Sequence, residues 1–94
     1  MEVIKWNSVK SQRLKKTRGV SFEEITASKF IGTRDHPTKE HQQILVYEYK
    51  NYLWAVPYVK EGEVTFLKTI YRSRKLLKIY QRKDLYEKNQ IDKV

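Results

Sequence analysis

The residues of this chain best suited to chemistry stand in one run, Leu67-Lys68-Thr69-Ile70-Tyr71-Arg72-Ser73-Arg74-Lys75-Leu76-Leu77. It reads as a strand passing into a helix that opens near Ser73, so Arg74 and Lys75 fall in the first helical turn. That turn already carries about half a positive charge from unpaired backbone N–H groups, and sequences normally put Asp or Glu there. Cations in that place make sense if an anion such as a phosphate sits over them. Lys78, Arg82 and Lys83 extend the charge, and Tyr71 and Tyr80 are interleaved with it. Arginine forks match phosphate oxygens and tyrosine rings stack on exposed bases, so the pattern fits RNA. The same residues also fit a solvated helix face with Tyr80 turned into the core.

The two histidines, His36 and His41, share a polar loop with Asp35 and Glu40. Histidine is the natural proton donor or acceptor near neutral pH, which makes His36 a candidate for acid–base work. Followed by Pro37, it also fits a turn with a capping role. The spacing matches no zinc motif, and no metal or cofactor is expected. Glu23 and Glu24 form a carboxylate pair, but a helix cap explains them better. A second basic set, Lys10, Arg13, Lys15, Lys16 and Arg18, lies on the first predicted helix. Cations at a helix C-terminus are favourable in themselves, so this set is either dipole matching or a second part of a footprint.

Twenty Lys and Arg against 11 Asp and Glu give the 94 residues a formal charge of +9 and a pI near 9.8. That excess points to a polyanionic partner: nucleic acid, an anionic membrane or an acidic protein. With 39% hydrophobic and 13% aromatic residues the chain can build a core, and residues 1–94 are expected to form one domain. The absence of Cys excludes disulfides, thiol catalysis and cysteine-held zinc. No apolar stretch is long enough to cross a bilayer and the first residues do not read as a signal peptide, so a cytoplasmic location is expected.

The elements that must position these residues follow from caps and periodicity. Asn7 caps a helix running to Arg18 and closed by Gly19. Ser21-Phe22-Glu23-Glu24 is a capping box with Val20 and Ile25 as its hydrophobic staple, opening a helix to about Phe30. Strands are predicted over Ile31–Arg34, Ile44–Tyr49, Tyr52–Lys60 and Val64–Tyr71, with Lys50-Asn51 as a two-residue turn. Pro57 cannot donate to a ladder and belongs at an edge or a bulge. The expected fold is α+β: two N-terminal helices, an antiparallel four-stranded sheet and a C-terminal helix.

Lys5-Trp6-Asn7, Arg18-Gly19-Val20-Ser21-Phe22-Glu23-Glu24, His36-Pro37 and Leu67-Lys68-Thr69-Ile70 with Ser73-Arg74-Lys75, in this order and spacing, resemble the BrnT-like toxins of bacterial type II toxin–antitoxin modules. The resemblance covers about Lys5 to Tyr80. It implies a RelE-like fold and a toxin that acts as an endoribonuclease, an mRNA interferase that inhibits translation. It also implies a cognate antitoxin, usually a ribbon–helix–helix DNA-binding protein, that covers the toxin and represses the operon. RNA is then a partner, with the ribosome an open further candidate; operator DNA is reached only through the antitoxin, and no membrane is involved. The family's conserved arginine falls on Arg74, with Lys75 beside it. Metal-independent cleavage needs cations for the developing charge and groups for proton transfer. Arg74, Lys75 and Arg72 are the candidates for the first and His36 or Tyr71 for the second, with Lys5 a further cation. The alternative is a non-enzymatic RNA- or DNA-binding module with a basic C-terminal helix. A third use of the positive face is to bind an acidic antitoxin.

Overall fold

Two helix caps set the first third of the fold. In α1 (Ser8–Arg18) the Asn7 side chain accepts from the Lys10 backbone N–H at 3.0 Å, and Gly19, at φ 80°, closes the helix in the left-handed region. In α2 (Phe22–Thr26) Ser21 accepts from the Glu24 N–H while the Glu24 carboxylate accepts from the Ser21 N–H, both at 3.1 Å. The second helix stops short of the expected Phe30. The Thr26 hydroxyl donates back to the Phe22 carbonyl and the Ser28 hydroxyl to the Ile25 carbonyl, which ends the helix and frees Phe30 for a strand. The coordinates are a computed structural model that describes residues 3–36, 38–40 and 42–80.

The sheet has six strands where four were expected: β1 (Val3–Lys5), β2 (Lys29–Asp35), β3 (Gln43–Tyr49), β4 (Tyr52–Glu61), β5 (Val64–Leu67) and β6 (Tyr71–Arg72). Their order is β1-β5-β4-β3-β2, with β6 also paired to β4. The sheet is not wholly antiparallel, because β1 runs parallel to β5 at one edge. A strand therefore precedes the helices; at three residues it is too short to show a period. The β3–β4 hairpin turns at Lys50 and Asn51, with φ 52° and 61°, as a two-residue turn of this hand requires.

The strand predicted from Val64 to Tyr71 is broken in two, and Pro57 supplies the reason. Its carbonyl accepts from the Lys68 N–H at 2.8 Å, but it has no N–H with which to return the bond. Tyr58 faces Leu67 while Ala55 faces Tyr71, so three steps along β4 oppose four along its partner. The extra residue is a bulge at the proline, where Pro57 was expected to stand. The Ile70 carbonyl in this gap accepts from Arg18 Nη1 at 2.6 Å instead.

Alternation along the strands divides the core between two faces. Tyr47, Trp54, Val56, Tyr58 and Leu67 meet Leu14, Val20, Phe22 and Ile25 from α1 and α2. Ile44, Val46, Leu53 and Ala55 meet Leu76 of the C-terminal helix, here α3, described over 74–80. The fold is thus α+β with helices on both faces of one sheet.

Candidate functional site

The strand-to-helix junction is fixed by one serine. Ser73 donates its N–H to the Leu53 carbonyl at 3.0 Å, which ties the helix start to β4. Its hydroxyl accepts from the Leu76 N–H and its carbonyl from the Leu77 N–H, both at 3.1 Å, so it is the N-cap of α3. Leu76 is buried against the sheet, and Arg74, Lys75 and Lys78 are left exposed. Arg74 and Lys75 do occupy the first turn, where their charge opposes the helix dipole.

Between this junction and the end of β2 lies a cleft of about 310 Å³, lined by Arg34, Asp35, Tyr71, Ser73 and Lys75 over a floor of Ile44, Leu76 and Ile79. Arg34 stands opposite Ile44 in the β2–β3 ladder, on the same face as α3. Two cations from separate elements therefore share one cleft, and neither is paired with a carboxylate among the described residues. The Tyr71 phenol is half-buried, and burial raises its pKa above the usual tyrosine value. At neutral pH it stays protonated, so its O–H is available to donate a hydrogen bond.

The remaining sequence candidates are spread more widely. Arg74 is exposed between Ser73 and Lys75. Arg72 pairs with Trp54, on the opposite face from Tyr71, and its guanidinium lies over the Tyr52 ring at 5.1 Å and the Trp54 ring at 6.0 Å. Lys78 projects from α3, while Tyr80 packs into the second core, its hydroxyl 3.7 Å from where a Cβ on Gly32 would stand. Lys5 is on β1, at the sheet edge farthest from β2. Arg82, Lys83 and His41 lie outside the described residues. His36 Nδ1 accepts the backbone N–H groups of Thr38 and Lys39, each at 3.1 Å, so this ring organises its own turn. Arg34 was not singled out in the sequence; its one visible signal is a cation at the polar end of a strand whose other α3-facing positions are Ile31 and Gly32.

The carboxylates set aside in the sequence are structural here. Glu23 accepts from Trp6 Nε1 at 2.9 Å and from the Ser11 hydroxyl at 2.8 Å, and the Ser11 bond is the main cause of its lowered pKa. Ser11, fully buried, in turn accepts from the Phe22 N–H at 2.9 Å. Glu24 meets Lys15 Nζ at 2.8 Å, and that bond, helped by the Ser21 N–H, brings its carboxyl down to about 2. Trp6 stacks on Phe22 with ring centroids 5.9 Å apart. The segments around Trp6 and Arg18 to Glu24 thus clasp the two N-terminal helices together and onto the sheet.

No family model and no curated protein matches this chain. The crystal structure of the Brucella abortus ribonuclease toxin BrnT, at 1.1 Å resolution, does align with it, covering 80% of this chain and 100% of that one. The TM-score is 0.52 and the identity 18%. The two chains share a fold. The likeness to BrnT spans the whole of that protein. No helix among the described residues is long and apolar enough to cross a membrane.

Proposed function

We propose that this chain is the toxin of a bacterial type II toxin–antitoxin module, an endoribonuclease that cleaves mRNA, blocks translation and is neutralised by a cognate antitoxin. The observation that carries the reading is the cleft that joins Arg34, Tyr71 and Lys75, set in the fold of a protein described as a ribonuclease toxin. In RNA cleavage the 2′-oxygen bonds to phosphorus as the bond to the 5′-oxygen breaks. The 2′-hydroxyl proton leaves to solvent, and the products end in a 2′,3′-cyclic phosphate and a 5′-hydroxyl. Negative charge builds on the non-bridging oxygens, where Arg34 and Lys75 stabilise it from two sides, with Arg74 beside them. Tyr71, whose phenol burial keeps protonated, gives its proton to the departing 5′-oxygen and is reprotonated from solvent.

Incubating the purified chain with RNA in EDTA tests the reading. Cleavage that falls by about 10²–10³ in Lys75→Ala, the scale of losing one charge-stabilising group, supports it. RNA that is shifted on a gel but left intact identifies a non-enzymatic binder. In cells, Arg74→Ala and Lys75→Ala are both expected to abolish growth arrest on induction while keeping the fold. Arrest as strong as the parent's from both proteins places the chemistry elsewhere. The antitoxin is expected to be a ribbon–helix–helix protein, and its co-expression is expected to restore growth.

A further inference from the structure

The first half of α1 breaks an electrostatic rule that the second half obeys. Lys15, Lys16 and Arg18 suit the helix C-terminus, and Lys15 meets Glu24 at 2.8 Å. Lys10, by contrast, lies in the first turn, which has no acidic residue, and Arg13 follows one turn later. Both line a groove of about 330 Å³ between α1 and the end of β5, and Lys68 lines its other wall. Lys68 holds its ammonium 5.5 Å from the Phe66 ring centroid. Among the described residues none of the three cations meets a carboxylate. Three like charges around one groove repel each other, and dipole matching explains neither Lys10 nor Lys68.

We infer that this groove is a second site for the backbone of single-stranded RNA, outside the cleft. The inference rests on the reading of the chain as an RNA-cleaving toxin and extends it along the substrate. Charge and continuity favour RNA over an acidic protein. Lys68 and Lys75 are the two ends of one segment, seven residues apart and so within about 25 Å of each other. Arg72 and Arg74 stand between them. An anion with charge at every repeat can follow that segment from groove to cleft. Val9 and Phe66, which also line the groove, offer apolar surface to sugars and bases.

The test is the salt dependence of binding, read by fluorescence anisotropy with 2′-O-methylated oligonucleotides, which lack the attacking hydroxyl and stay intact. Each phosphate contact on a single strand contributes about 0.7 to the slope of log affinity against log salt. The triple variant Lys10→Gln/Arg13→Gln/Lys68→Gln is expected to lose about two units of slope on a strand of about 12 nucleotides. Its affinity at 0.1 M salt should fall about a hundredfold, and the difference should vanish near 1 M. A strand of about 4 nucleotides should show a much smaller loss. Arg13→Gln alone should lose about 0.7, which keeps the test open if the triple variant fails to fold. An unchanged slope on the long strand, or an equal loss on the short one, overturns the inference. Because the probe cannot be cleaved, a chain that proves inactive as a ribonuclease and yet shows the slope loss keeps the groove and rejects only the enzyme.

Discussion

The two faces of the sheet are built for different ends. Where α1 meets α2, the carboxylates and the groups around them have named partners. Trp6 and Ser11 hold Glu23, Lys15 and Ser21 hold Glu24, and Arg18 holds the Ile70 carbonyl. On the α3 face Leu76 is buried with Leu77 and Tyr80 packed beside it, and the cations around them have no counter-charge among the described residues. The segments around Trp6 and Glu23 therefore secure the frame. The chemistry proposed for the chain sits where the frame leaves charge unsatisfied.

The sharpest way to break this contrast is to compare one core deletion on each face. Phe22→Ala, at a fully buried site, should cost about 3–5 kcal/mol in urea unfolding, and Leu76→Ala about 2–3 kcal/mol. Equal losses would mean that both faces are equally committed to stability. Ser11→Ala should cost about 1–3 kcal/mol, because it leaves the buried Phe22 N–H without an acceptor and removes a donor from Glu23. A loss below about 0.5 kcal/mol would show that the clasp is held by apolar packing alone.

Acid gives a finer probe of the same face. The Glu24 carboxyl is lowered to about 2 in the fold from an ordinary 4.5, so its contribution is complete above 4.5 and is lost as pH falls toward 2. Glu23 is lowered in the same sense. The urea midpoint of the parent should therefore drop through that window, and Glu24→Gln should flatten part of the drop; parallel curves would show that the Lys15 bond does not persist in solution. The smallest effect is expected on the other face. Lys75→Ala and Arg34→Ala should leave stability within about 0.5 kcal/mol of the parent. A loss above about 1 kcal/mol would make these cations part of the frame and end the contrast.

What the sequence reveals follows the distance over which each signal acts. Asn7, Gly19, Ser21 and Glu24 bond within four residues of themselves, so both caps are legible, as is the turn at Lys50-Asn51. The early end of α2 is less so, because Thr26 and Ser28 compete with helix propagation through side-chain bonds that composition does not announce. β1 is three residues long and finds its partner about 60 residues away, beyond any local pattern. The same holds for the site. Tyr71, Ser73 and Lys75 are adjacent in the chain and were singled out together, whereas Arg34 reaches their cleft only through sheet pairing. Tyr80 and His36 carry the residue types that the chemistry would want, yet one fills the core and the other ties a turn.

The proline opposite the broken strand sets the parity of everything after it. Had the ladder continued in the register of Leu67 and Tyr58, Tyr71 would have faced Trp54 and Arg72 would have faced Leu53. With one extra residue accommodated, the two exchange sides: the phenol turns toward Arg34 and Lys75, and the guanidinium turns out over two aromatic rings. A backbone nitrogen that lacks a hydrogen thus decides, from more than a dozen residues away, which neighbour looks into the cleft.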